Sequence, residues 1–384
     1  MSQKNRNGVA WLSQPLKFGR PPDSSAKKRR NMRTFLLVLI LAALFPLAAM
    51  LVLPIFGPTV YGDIQSAVDQ TLVYVLLALG LNVVVGYAGL LDLGYAAFFA
   101  IGAYTMGFLT SKIFHFGFWV ALPVSFLVAG LFGVLLGAPT LGLRGDYLAI
   151  VTLGFGEIVP NVFKNLNQLT GGDTGLGGID SPFAVPASRT PADALLLGRN
   201  ALADWYYLTL GIIVLSTFVI LRLVDSRVGR AWIAIREDEI AASAMGIDPV
   251  RTKLLAFGVG ASFAGFAGAI FASTFGTANP TQFQFAVSIL ILSMIILGGM
   301  GNIWGVIFGA IALEFSNVSF VPFIAETVNK IGRENNNEFL QNLAGGSRFL
   351  IFGLILVIMM LVRPEGLFPS GRRKMELKPE DNTA

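Results

Sequence analysis

The chain has 384 residues, 54% of them hydrophobic and 13% charged, with a net charge of +5. A soluble domain carries roughly 25% charged residues, so half that fraction cannot cover a globule of this size and lipid must cover the rest. With no cysteine and a single histidine, disulfides, thiolate metal sites and cysteine nucleophiles are excluded, and His115 reads as an incidental polar residue of the short loop 111–117.

The first 34 residues form a basic tail in which Lys4, Arg6, Lys17, Arg20, Lys27, Lys28, Arg29, Arg30 and Arg33 precede the first apolar stretch. Arg372, Arg373, Lys374 and Lys378 follow the last one. Basic clusters flanking apolar segments attract anionic headgroups and fix orientation, so the positive charge points to membrane lipids and not to nucleic acid. A span needs about 20 mostly apolar residues. Segments near 35–53, 65–85, 95–110, 118–137, 147–163, 205–223, 253–275, 284–300, 303–320 and 349–362 are the candidates. Those at 147–163, 303–320 and 349–362 are short or interrupted. The first has a long basic leader and no small-residue cleavage site, so it reads as a retained helix rather than a signal peptide. The expected architecture is an all-α polytopic membrane protein of about ten transmembrane helices. A tail at 1–34 precedes a membrane domain at 35–370, and a second tail occupies 371–384.

Within this frame the glycines are patterned. Gly260, Ala264, Gly268 and Ala272 recur at every fourth residue, with Ala261, Gly265, Ala269 and Ser273 alongside, and Gly301, Gly305 and Gly309 repeat the spacing. Four-residue spacing puts small side chains on one helical face, so backbones approach closely. Two long polar connections lie at about 164–204 and 321–348. The first carries Thr170–Ile179, in which Gly171, Gly172, Asp173 and Gly175 promise irregular backbone with exposed amides. Such a loop suits a substrate entrance or a flexible connector. No Gly-Lys dipeptide occurs, so there is no Walker A motif.

Asp92, Glu157 and Glu314 fall at membrane depth, where ionisable groups are functional candidates by default. Asn82 and Tyr95 join them as candidates for a translocation path. A carboxylate there attracts an ammonium group or couples a proton. The plainer reading is capping of broken helices or pairing with a polar neighbour. Alternating ten spans from a cytoplasmic amino terminus puts Arg144, the 222–253 segment and the carboxyl terminus on one side with it. That side then holds 21 of the 28 Lys and Arg, the bias expected when both termini are cytoplasmic.

The connection at about 225–252 is the most informative. Asp238 suits a helix start, Glu239 favours the positive end of the helix dipole, and Gly246 followed by Pro249 is a stop signal. Ile240, Ala244 and Ile247 make a narrow apolar stripe, while Ala241 and Ala242 leave the backbone approachable. The expectation is a helix of one to two turns, suited to a groove of a cytosolic partner.

The pattern Glu239-x-Ala241-Ala242-x-x-x-Gly246 resembles the coupling loop of bacterial ABC importer permeases, in which a short helix docks on the ATPase subunit. The stretches Gly86–Thr105, Arg144–Glu157, Thr170–Ile179, Leu297–Gly305 and Arg363–Phe368, in this order, are similar to the signatures of branched-chain amino-acid permeases of the LivM type. Asp92 stands where many of these permeases have serine. The resemblance implies a bacterial inner-membrane permease with no cofactor and no ATPase activity of its own. It would work with a second, LivH-like permease subunit, two cytosolic ABC ATPase subunits and a periplasmic amino-acid-binding protein. The implied cargo is branched-chain or other neutral amino acids. Glu239, Ala241, Ala242 and Gly246 would then couple to the ATPases, and Gly171, Gly172, Asp173 and Gly175 would face the binding protein. A permease for urea or short amides shares the same glycine-rich signatures. An ion-coupled secondary carrier would instead make Asp92, Glu157 and Glu314 essential.

Overall fold

The computed structural model describes residues 58–111, 114–140, 146–183 and 191–334, together with 357, 361 and 366–368. The basic tail 1–34, the expected span near 35–53, Arg144, most of the segment near 349–362 and the tail 371–384 lie outside the described residues. So do 184–190 and 335–348 of the two long connections.

Helix α1 (Pro58–Leu81) runs directly into a π-helical turn at Asn82–Tyr87, and an irregular break leads to α2 (Tyr95–Thr110). Then come α3 (Phe118–Thr140), α4 (Asp146–Asn165), a glycine-rich loop with strand β1 (Leu176–Gly177), and α5 (Pro191–Asp225). Two short helices, α6 (Arg227–Glu237) and α7 (Glu239–Ala244), precede α8 (Pro249–Phe275). Strand β2 (Thr277–Ala278), α9 (Phe285–Gly298), α10 (Ile303–Phe315), a π-helical turn at Ser316–Phe320 and α11 (Val321–Glu334) follow.

Five of the described helices are long and apolar enough to cross a membrane, at Ser66–Tyr87, Phe118–Pro139, Asp204–Asp225, Pro249–Phe275 and Pro280–Gly298. Tyr95–Thr110 and Ile303–Val318 are apolar but shorter. Every expected span between 65 and 320 is helical. Both long polar stretches differ from their expectation as loops: α5 already begins at Pro191, inside the first, and the stretch from 321 begins as α11. The second is polar on average, yet Val321, Ile324, Val328 and Ile331 recur at helical spacing.

Helix α8 is the axis of the bundle. It is 78% buried and the span Ser66–Tyr87 of α1 and its π turn 89%, against 39% for α3 and 33% for α5. The two small-residue lines explain this position. Gly260 lies against Gly80 of α1 and Val84 of the π turn, and Gly268 against the backbone of Phe99 and Ala103 in α2. On the adjacent face, Gly265 meets Ser125 and Ala129 of α3. Tyr95 reinforces the seam, its hydroxyl donating to Gly260 O at 2.9 Å. Gly305 and Gly309 do the same for α9 and α10, packing on Gly298 and Met294. Gly301 departs from the expected stripe. It precedes α10 with φ +78°, so it shapes a turn instead of a helix face.

The connections sort to two ends. At one, Leu176 and Gly177 pair antiparallel with Ala278 and Thr277, Asn279 Nδ2 donates to Asp173 O at 2.9 Å, and Asp180 N reaches Thr110 Oγ1 at 3.3 Å. At the other, Arg236 Nη1 donates to Gly86 O, Gly301 N to Asn82 Oδ1 at 3.0 Å, and Asn302 Nδ2 to Phe368 O at 2.8 Å.

Candidate functional site

The α6–α7 segment is assembled by side-chain caps. Ser226 Oγ accepts from Val228 N and Gly229 N to start α6. This helix buries Gly229, Trp232 and Ile235 along one line, and Trp232 Nε1 donates to Thr252 O of α8 at 2.9 Å. Asp238 is extended, so it ends α6, and its carboxylate accepts from Ile240 N at 2.8 Å and Ala241 N at 3.0 Å to open α7. Gly246 closes it. Its φ is +86°, with Ile247 N bonded to Ala242 O at 3.1 Å and Gly246 N to Ser243 O at 3.0 Å. That is the Schellman pattern, in which a left-handed residue satisfies the last carbonyls of a helix. Asp248 then caps α8, with Pro249 at its first position.

A six-residue helix is far below the length that is stable alone, so its order comes from these caps and from its attachment. One attachment is Lys253 Nζ, bonded to Glu239 Oε1 at 2.7 Å, with side-chain exposures of 7% for the lysine and 38% for the glutamate. Glu239 is therefore tied to α8 and not left to the helix dipole alone. Ala242 is buried beneath α7. The opposite face presents Ile240 at 70% exposure and Met245 at 84%, with Ala241 and Ala244 exposed beside them. The expected stripe survives in Ile240 and Ala244. Ile247 lies past the turn at Gly246 and is half-buried, and Met245 is exposed in its place.

Two predictions follow from this construction. Glu239→Gln strands a nearly buried ammonium and costs about 1–3 kcal/mol, while Lys253→Met removes the charge and costs less, about 1 kcal/mol or under. Thermal unfolding of the purified chain reads the order, and equal losses would mean that the pair does not hold the lysine. Gly246→Ala meets no neighbour within 4 Å, so its cost is purely conformational, about 1–2 kcal/mol. Amide exchange at 239–247 should accelerate roughly tenfold, with Gly246→Asn closer to wild type.

At the other end, the glycine loop is built and not slack. Gly171, Gly172, Gly175 and Gly178 all have positive φ. A Cβ on Gly172 would strike Asn167, and one on Gly175 would strike the Ala278 carbonyl. Thr170, fully buried, donates its hydroxyl toward Leu166 O at 2.9 Å. Asp173 pairs with Lys164 at 3.0 Å, an exposed contact of small energetic weight.

The membrane-depth candidates do not converge. Asn82 Oδ1 receives Gly301 N, and Asp92 Oδ1 receives Gly94 N at 2.9 Å. Thr152 Oγ1 accepts from Leu93 N beside it, and a cavity of about 10 Å³ lined by Asp92, Thr152, Phe155 and Phe257 has room for one water. Tyr95 is spent on Gly260 O. Glu314 is wholly buried and accepts from Gln70 Nε2 at 3.1 Å and Asn317 Nδ2 at 3.2 Å. Glu157, by contrast, is exposed.

Comparison with known proteins decides between a generic polytopic bundle and a transport component. Residues 64–362 match the family model described as "Branched-chain amino acid transport system / permease component". The chain belongs to this permease family. It is 42% identical over 350 residues to the high-affinity branched-chain amino acid transport system permease protein LivM of Escherichia coli K12, covering 86% of this chain and 76% of that protein. A probable LivM of Methanocaldococcus jannaschii is 23% identical over 336 residues, covering 77% of this chain and 90% of the relative. The LivH permease of Salmonella typhimurium is 25% identical over 317 residues, covering 79% of this chain and 92% of that one. No solved structure matches. In this permease, sequence reasoning missed Trp232, Arg236, Met245 and Lys253. Met245 alone carried a local signal, as a large apolar residue beside a glycine stop on a polar connection.

Proposed function

We propose that the chain is the permease subunit of a binding-protein-dependent importer, carrying branched-chain or other neutral amino acids across the bacterial inner membrane. Energy comes from separate ATPase subunits. The observation that carries this reading is α7, anchored on one face by Glu239–Lys253 and Ala242 and exposing Ile240, Ala241, Ala244 and Met245 on the other. An apolar face of this size on a capped, attached helix suits a groove of a cytosolic ATPase. Glu239 and Ala242 hold the helix in place, Gly246 ends it, and Ala241 with its exposed neighbours meets the partner.

Membership of a family with LivM and LivH branches supports pairing with a second, homologous permease subunit. The exposed apolar residues Trp119, Leu127 and Leu131 of α3, and Leu215 and Phe218 of α5, suit contact with that subunit and with lipid. About ten spans with both termini cytoplasmic place α7 on the ATPase side. The ordered loop at Gly171, Gly172, Asp173 and Gly175 then faces the periplasmic binding protein. Asn82, Asp92, Tyr95 and Glu314 act chiefly by holding the broken helices around the path, because Asn82 Oδ1, Asp92 Oδ1, the Tyr95 hydroxyl and Glu314 Oε1 are engaged by backbone or amide partners, while Asn82 Nδ2 and Asp92 Oδ2 are buried without one among the described residues.

Reconstitution of the chain with its paired permease, ATPases and binding protein in proteoliposomes tests the reading. Leucine uptake should require both ATP inside the compartment holding the ATPases and the binding protein on the opposite side. Uptake by the chain alone, driven by an ion gradient, would overturn it.

A further inference from the structure

The side-chain hydrogen bond between α6 and the π turn that follows α1 is made by one residue, set in a slot of glycines. Arg236 Nη1 donates to Gly86 O, inside the π-helical turn. Its stem crosses Gly89, whose φ is +71° and where a Cβ would stand 2.6 Å from Arg236 Cγ. From the far side, a Cβ on Gly301 would come within 3.4 Å of Nη1 and 3.2 Å of Gly86 O. Gly301 is itself held by Asn82 Oδ1, at the start of the same π turn.

The last carbonyls of a helix need partners. Val83 O takes Ala88 N, Val84 O takes Leu90 N, and Gly86 O takes the guanidinium. A cation at this end also meets the negative pole of the helix dipole. The other anchors of the segment lead elsewhere. Trp232 bonds to Thr252 O and Glu239 to Lys253, and both partners belong to α8. Among the described residues, Arg236 makes the one side-chain hydrogen bond from α6 or α7 to the break. It stands two residues before Asp238, the cap of α7, so a shift of α7 moves it directly. Beyond Gly89 the break continues to Leu93 N on Thr152 Oγ1, which joins it to α4, and to Gly94, whose carbonyl accepts from Ala97 N in the first turn of α2.

We propose that Arg236 is a positioning residue that transmits displacement of α7 to the π turn and break at 82–94, and through it to α2 and α4. The inference rests on the ATPase-coupling reading of α7. The π turn is the element able to change, since such turns interrupt the regular hydrogen-bond ladder and concentrate at functional sites. Lysine is a poor substitute, because it lacks the planar fork that fills the slot.

The test uses the full complex, with labelled leucine and the cognate binding protein in proteoliposomes. Arg236→Ala should retain its ATPase subunits, lower its thermal midpoint only modestly for the carbonyl left unpaired, hydrolyse ATP at nearly the wild-type rate, and lose roughly tenfold in leucine transported per ATP. Arg236→Lys should recover part of that loss. An unchanged ratio for Arg236→Ala overturns the proposal, as does failure of both Arg236→Ala and Arg236→Gln to accumulate, which would make the arginine a folding residue. A wild-type complex that holds no ATPase would overturn the coupling reading itself. A wild-type complex that holds ATPase, with an unchanged ratio in the variant, removes only the role of Arg236.

Discussion

Met245→Asp is expected to reduce ATP-driven uptake by the assembled importer by at least about 100-fold while leaving the chain folded and inserted. The chain itself loses almost nothing, since Met245 is 84% exposed and its backbone, not its side chain, closes α7. On the ATPase-coupling role proposed for α7, the cost falls on that interface. A methionine fills an irregular apolar groove because its side chain is flexible and polarisable. A carboxylate in the same groove must shed its water without gaining a partner, at about 3 kcal/mol or more, which corresponds to a hundredfold or greater loss of binding. Met245→Leu keeps volume and polarity and should stay near wild type. Co-purification of the ATPase subunits separates the outcomes: Met245→Asp should lose them and Met245→Leu should not. Retention of the ATPases by Met245→Asp would mean that this face is not where the partner sits.

That Met245 and not Ile247 completes the exposed face illustrates where reading from the sequence stops. Asp238, Gly246 and Pro249 mark the ends of α7 through local chemistry, and local chemistry is legible within a few residues. The spans were legible for the same reason, because hydropathy acts over a contiguous stretch. The four-residue spacing of Gly260, Ala264 and Gly268 marked a packing face, but not that it would meet α1 and α2 while Gly265 met α3. Partners separated along the chain were invisible. Nothing near Arg236 announces a carbonyl at Gly86, and Lys253 reads as an ordinary positive charge at the start of a span until the fold brings Glu239 to it. Gly301 was misread because its spacing to Gly305 and Gly309 is helical although its backbone is not. The break at 82–94 could be sensed from Gly86, Gly89 and Gly94. Its π-helical start could not, nor could the bond there from Gly301 N to Asn82 Oδ1, whose partners are far apart in the chain.

Gly268→Val should prevent accumulation of the folded chain. A Cβ at this position would stand against the Phe99 carbonyl, 2.6 Å from Ala103 N and 3.1 Å from Gly102 C. Every one of these neighbours is backbone of α2, so no side-chain rotation relieves the clash. Either α8 separates from α2 or both helices bend, and each response opens the seam that buries Phe99, Ala264 and Phe271. Overpacking of a core typically costs about 1–3 kcal/mol when side chains can yield. Here they cannot, and the loss should exceed that range. Gly211→Ala is the matched control: its Cβ meets nothing within 4 Å, and exchanging glycine for alanine inside a helix favours the helix by up to about 1 kcal/mol. Size-exclusion profiles of the two variants in detergent make the comparison. Gly211→Ala should elute as the wild type does, and Gly268→Val should be lost to aggregation or degradation. Equal recovery of both would show that α8 does not depend on close approach to α2. The axis of the bundle would then have to be sought in its large apolar side chains rather than in its small ones.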